Sequence, residues 1–279
     1  MTTARDIELP GRGSFHVEVA GPVGAPAPDA APTATPVLLL HGLGADSTLW
    51  YRALPLLARE RTVYAYDLRG HGETHATGAD CSLAAHAADL LALADAVAPA
   101  VRPHVLGTSL GGVVAQIAAA AAPARFASLV LACTWAAAPP GLDAESLAAA
   151  IAAAPDIRVH FAGVVRAMLP DHPDDALLLL DAIAAVDRAA LAQGARELFA
   201  YDGRARLAAI TAPALVLCGA NDEMFPFAAS RVIADGLSDA QVGVLARSGH
   251  APYLDHPGAF STAVTGFWAE RDAAAAPGV

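Results

Sequence analysis

The chain has 279 residues, with seventeen basic side chains against twenty-eight acidic ones and a formal net charge of −11; every basic residue is arginine. The lack of lysine excludes Schiff-base chemistry and a Walker-type phosphate loop. An acidic chain without a basic cluster is also unsuited to nucleic acid, whose affinity rests on phosphate neutralisation. Hydrophobic residues make up 55%, enough for the core of one large α/β domain with an insertion, or of two small domains. Much of that fraction is alanine, which favours helix and buries little area per residue.

Cys81, Cys133 and Cys218 are odd in number and far apart. They match neither a disulfide framework nor paired metal ligands, and read as buried thiols in a reducing compartment. Residues 1–8 lack the apolar centre of a signal peptide. No run of about twenty residues is apolar enough for a membrane span. A soluble cytoplasmic protein is expected.

The first elements are two short alternating runs, 7–9 and 15–20, joined through Pro10-Gly11-Arg12-Gly13 as an edge hairpin. The Pro-, Ala- and Gly-rich stretch 21–36 reads as a loop. Val37 to Leu40 reads as a buried parallel strand ending at His41-Gly42-Leu43-Gly44, with a helix starting near Ser47 or Thr48. A strand over 62–66 leads to Asp67-Leu68-Arg69-Gly70-His71-Gly72. Ser82 is a candidate N-cap for a helix through Ala98. A strand over 105–106, a helix over 110–122 and a strand over 129–132 continue an alternation that predicts a parallel sheet with helices on both faces. From 141 to 206 only helical patterns occur, broken at Pro155 and at Pro170-Asp171-His172-Pro173. Strands over 214–218 and 241–245, a helix over about 257–271 and a frayed tail over 273–279 complete the chain. The division is a core of 1–140 and 207–279, with a helical cap of 141–206 lying over the strand ends, where open α/β sheets bind ligands.

The chemistry centres on Gly107-Thr108-Ser109-Leu110-Gly111, a Gly-x-Ser-x-Gly pattern between a strand and a helix. Such a turn lifts the serine hydroxyl off the sheet and sets it near the positive end of the following helix. A serine hydroxyl needs a base, an acid to hold that base, and donors for the developing oxyanion. Asp222 follows the strand 214–218, and His250 falls in the loop after the strand ending near Leu245. The chain order Ser109, Asp222, His250 separates this arrangement from the other known triad orders. The oxyanion donors in this scheme are the backbone N–H groups of Leu43 and Leu110.

The motifs at 41–44, 67–72, 107–112 and 219–222, together with Gly249-His250-Ala251-Pro252, resemble the α/β-hydrolase superfamily over nearly the whole chain. The resemblance is greatest to the capped lactonase and carboxylesterase branch that includes 3-oxoadipate enol-lactonases. The stretch 249–257 also resembles pimeloyl-ester carboxylesterases. The resemblance implies an α/β-hydrolase fold: a mostly parallel sheet, helices on both faces and an inserted helical cap. Serine at 109 sets the chain apart from members with an aspartate nucleophile, and Ala251 and Thr108 depart from the pattern of carbon–carbon bond hydrolases. Some members place the acid after the earlier strand, where this chain holds Ala132-Cys133-Thr134 without a carboxylate, so the resemblance implies Asp222 as the acid.

The reading is a serine hydrolase of a small carboxylic ester or lactone, acting through an acyl-enzyme, with no metal or organic cofactor. The inserted cap, apolar and Ala-rich, favours a compact and mostly apolar substrate. Trp50, Trp135, Met224 and Phe225 are candidates for the pocket wall, and Arg158 and Arg166 for anchoring a substrate carboxylate. His41, Asp67, Arg69 and His71 read as fasteners of turns. Alternatives on the same fold are carbon–carbon bond hydrolysis, perhydrolysis, a tailoring cyclisation, or a slow-turnover binding protein. A small molecule is the expected partner, with no nucleic acid or membrane, and the chain is a monomer or homodimer.

Overall fold

Antiparallel strands β1 (Thr2–Leu9) and β2 (Gly13–Ala20) form the hairpin at one sheet edge. The computed structural model describes residues 2–22 and 34–275. Positions 23–33 of the expected loop and 276–279 of the expected tail lie outside the described residues. Strands β3 (Val37–Leu40), β4 (Val63–Tyr66), β6 (His104–Thr108), β7 (Ser128–Ala132), β8 (Ala214–Gly219) and β9 (Ala240–Leu245) are mutually parallel. The order is β1-β2-β4-β3-β6-β7-β8-β9, with the two-residue β5 (His75–Ala76) paired to β2. β3, β4, β6, β7 and β8 are buried along their whole length. Both faces of a central parallel strand are covered, so these segments read as mostly apolar runs, with His104, Thr108 and Ser128 at strand ends as buried polar exceptions.

Helices α1 (Leu54–Leu57), α2 (Leu83–Val97) and α3 (Leu110–Ala121) follow strands of the first half. Ser82 caps α2 by accepting the Ala85 N–H at 3.1 Å. Between β7 and β8 the chain forms α4 (Ala144–Ala153), α5 (Ile157–Met168), α6 (Pro173–Ala185) and α7 (Arg188–Ala200). Asp143, Asp156 and Asp187 cap α4, α5 and α7 through side-chain oxygens. Pro155 separates α4 from α5, and Pro173 opens α6, where a missing N–H costs nothing. α4 packs on α7 and α5 on α6. The leucine run 177–180 lies inside α6, as its helical spacing indicates. After β8 come α8 (Phe227–Gly236), α9 (Pro252–Asp255) and α10 (Pro257–Ala275).

The structure departs from the sequence reading at several boundaries. β1 begins at Thr2 because its whole length pairs with β2. The segment Ser47–Trp50 is a single 3₁₀ turn capped by Asp46, with no longer helix growing from it. The last helix continues through Ala275, past the expected stop at 271. The alanines there are strong helix formers, and Asp272 is tied to Arg61, Thr35 and His104. No described helix is long and apolar enough to cross a membrane.

Candidate active site

Ser109 stands at the junction of β6 and α3 with φ 53° and ψ −120°, a left-handed conformation that side chains other than glycine rarely adopt. The surrounding hydrogen bonds hold it there. Its N–H donates to the Ala132 carbonyl at 3.0 Å, and its carbonyl accepts from the Gly112 N–H at 3.0 Å and the Thr134 hydroxyl at 2.7 Å. The flanking glycines follow from steric need. A Cβ at Gly107 would overlap the Gly111 carbonyl oxygen, and one at Gly111 would sit 2.6 Å from the carbonyl oxygens of Leu40 and His41.

Asp222 lies in the turn after β8 and is buried. Its Oδ1 accepts the backbone N–H groups of Met224 and Phe225 at 3.0 and 2.9 Å. Its Oδ2 accepts from His250 Nδ1 at 2.9 Å, which directs Nε2 as the free ring nitrogen. The Phe225 ring stacks on the imidazole at 4.7 Å between centroids. The His250 loop is braced by Asp255, whose Oδ2 accepts the Gly249 N–H at 2.7 Å. Glu223, beside Asp222 in sequence, is exposed.

The loop after β3 approaches the serine closely: a Cβ on Gly42 would lie 3.2 Å from Ser109 Cβ. Two histidines fasten this loop. His41 donates from Nδ1 to the Gly42 carbonyl at 2.8 Å and accepts the Leu68 N–H on Nε2 at 2.9 Å. His71 accepts the Gly44 N–H at 3.2 Å and donates to the Arg69 carbonyl at 3.1 Å. Burial lowers both imidazole pKa values, that of His71 to about 3. Asp67 ties the neighbouring turns through the N–H groups of Ser47 and Glu73. Arg69 forms a two-pronged pair with Asp89.

Ser109 and His250 line one cavity of about 200 Å³. Leu43, Met224 and Phe225 join them from the sheet side, and side chains of α4 to α7, all apolar but His160, form the rest of the described wall. The other expected wall residues lie elsewhere. Trp50 is buried against Tyr253 and Phe260, with ring centroids 4.5 and 6.4 Å away. Trp135 sits one layer back, packed on Phe225 at 4.2 Å and on Phe199 at 5.6 Å. Arg158 turns to an ion pair with Asp181 of α6, and Arg166 is exposed; neither touches the cavity. A charged side chain finds its counter-ion and water at the outer face of a helix more cheaply than in an apolar wall. Wall positions such as Ile151, Phe161, Leu179 and Phe199 carry no signal that separates them from ordinary core residues.

Cys133, also left-handed at φ 46°, follows β7. Together with Asp222 and His250 it forms a group whose ligating atoms lie within 4.8 Å of one another. Burial and the Asp222 carboxylate push its thiol well above the usual range, so it is protonated at neutral pH. Because the other two side chains already bond each other, the group reads as a hydrogen-bonded cluster around the Asp222 carboxylate.

The mostly parallel sheet has the architecture of the α/β-hydrolase class, with Ser109 held at positive φ between strand and helix and the buried Asp222–His250 pair in the wall of the cavity that Ser109 lines. Residues 37–263 match the Alpha/beta hydrolase family, and the chain belongs to it. It is 34% identical to RutD of Variovorax paradoxus, named as a candidate carbamate hydrolase, over 95% of this chain and 98% of that one. It is 30% identical to the pimeloyl-[acyl-carrier protein] methyl ester esterase of Neisseria meningitidis serogroup C, over 81% of this chain and 90% of that one. The enol-lactonase of Burkholderia xenovorans LB400 superposes with a TM-score of 0.83, over 95% of this chain and 100% of that one. At 22% identity that likeness is one of fold.

Proposed function

We propose that the protein hydrolyses a small carboxylic ester or lactone through an acyl-enzyme on Ser109. The observation that carries this reading is the His250–Asp222 hydrogen bond of 2.9 Å in the wall of the cavity that Ser109 also lines. Ser109 Oγ attacks the substrate carbonyl while His250 Nε2 takes its proton. Asp222 holds the tautomer and stabilises the imidazolium. The N–H groups of Leu43 and Leu110 receive the developing oxyanion; Leu110 opens α3, and the first N–H groups of a helix have no intrahelical acceptor. Collapse of the tetrahedral intermediate breaks the acyl–oxygen bond, and His250 delivers its proton to the departing alkoxide. A water deprotonated by His250 then attacks the acyl-enzyme, releasing the acid and restoring Ser109.

The segment 141–206 acts as the cap, because its helices supply most of the cavity wall opposite Ser109. The relatives named for a carbamate and a methyl ester support acyl transfer to water and leave the acyl group open. The reaction class is tested by a panel of p-nitrophenyl acetate, a simple lactone and a vinylogous diketone. Turnover of the ester or lactone with an inert diketone is expected. Cleavage of the diketone alone would overturn the assignment in favour of carbon–carbon bond hydrolysis.

A further inference from the structure

The cavity wall decides which acyl groups can be desolvated above Ser109. Among the described residues of its wall, Ser109, His250 and His160 alone carry a side-chain nitrogen or oxygen, and His160 is exposed. The deeper wall is Ile151, Val165, Leu179, Ile183 and Leu198, all buried. Every arginine of α4 to α7 is committed or turned away. Arg158 pairs with Asp181 and Arg196 with Glu145; Arg188 donates to the carbonyls of Ile151 and Ala154, and Arg166 is exposed. A carboxylate carried into this space would lose its water and meet no arginine among the described residues, a costly form of burial. An alkyl group of the same shape would gain from leaving water.

The volume sets a size. An apolar cavity of about 150 Å³ accommodates benzene, so about 200 Å³ corresponds to about eight non-hydrogen atoms.

We propose that the site selects neutral esters or lactones whose enclosed part is apolar and holds about eight non-hydrogen atoms, and that it rejects acyl groups ending in a free carboxylate. This rests on the acyl-transfer reading given above. The selectivity belongs to the shape and polarity of the wall, so it governs binding whether or not the serine reacts.

The test compares methyl 5-methylhexanoate with monomethyl glutarate, which match in the shape of the acyl part and differ in the charge at its end. For the wild-type protein, kcat/KM measured by pH-stat is expected to favour the neutral ester by about 100-fold or more. In Ser109→Ala the same two esters are compared as ligands through the shift in melting temperature. The neutral ester is expected to raise it, and the charged one to leave it unchanged at equal concentration. Val164 lines the cavity and is exposed on its other side, so Val164→Arg offers a cation at the rim without disturbing the core. This variant is expected to narrow the preference by about tenfold. Equal shifts in Ser109→Ala, or tighter binding of the glutarate ester, would overturn the proposal. A wild-type protein that hydrolyses neither ester while its Ser109→Ala variant still favours the neutral one would sink the catalytic reading and leave the binding preference standing.

Discussion

Ser109→Ala is expected to lower kcat/KM for ester hydrolysis by about 10⁴- to 10⁶-fold, the loss seen when a triad nucleophile is removed and only oxyanion donors and binding remain. The fold should survive, because what holds the elbow is backbone. The Ala132 carbonyl, the Gly112 N–H and the Thr134 hydroxyl bond to main-chain atoms of residue 109, and all three contacts remain with alanine. The melting temperature should therefore stay within about 2–4 °C of wild type. Activity and circular-dichroism melting on the same preparation check both halves. Ester hydrolysis at the wild-type rate by a folded Ser109→Ala protein would move the nucleophile elsewhere.

Stability should fall steeply on mild acidification, ahead of the usual carboxylate range. His41, His71 and His86 form a buried file with ring centroids 5.2 and 6.3 Å apart, and each is held neutral by burial, reinforced at His71 and His86 by neighbouring imidazoles. His104 stacks on Trp268, accepts from Ser128 and donates to Asp272. Burial draws the pKa of His71 down to about 3 and that of His104 to about 4. These values lie below the ordinary histidine pKa of about 6.5, so between them the unfolded chain binds more protons than the folded one. The stability they support is complete above about pH 6.5 and is lost as pH falls through that window. At pH 4.5, His71 and His104 should each withdraw about 2–3 kcal/mol relative to neutral pH. Urea titrations at pH 7 and pH 4.5 measure the difference. Neither ring nitrogen of His86 has a hydrogen-bond partner among the described residues, so His86→Leu should soften the acid loss without a penalty at neutral pH. Unfolding midpoints that stay level down to pH 4.5 would contradict the account.

Much of this architecture was legible in the residues because its causes are local. Val37 to Leu40 and Leu129 to Ala132 are apolar on every position, as a strand covered on both faces must be. Ser109 is marked by two glycines that no larger residue can replace without meeting backbone. Asp222 and His250 stand out as titratable residues just past apolar strands, and their pairing follows once β8 and β9 are neighbours. The cavity wall was hidden for a physical reason. Leu179 or Phe199 repeats with the same helical period whether it faces a core or a cavity. Arg158 gives no sign in sequence that Asp181, on another helix, claims it. Trp50 and Trp135 fill core beside the site, since large aromatic rings serve a packed layer as well as a binding wall. Leu43 joins the wall, a placement that depends on how α4 to α7 sit above the sheet and so on tertiary packing.

In the proposed reaction Ser109 carries the acyl group between attack and release. The most direct test is acid quenching of the protein during turnover of p-nitrophenyl hexanoate, followed by peptide mass spectrometry. A hexanoyl adduct on Ser109, absent from Ser109→Ala, is the predicted result. Turnover with the acyl group on another residue, or an undiminished rate in Ser109→Ala, would contradict it.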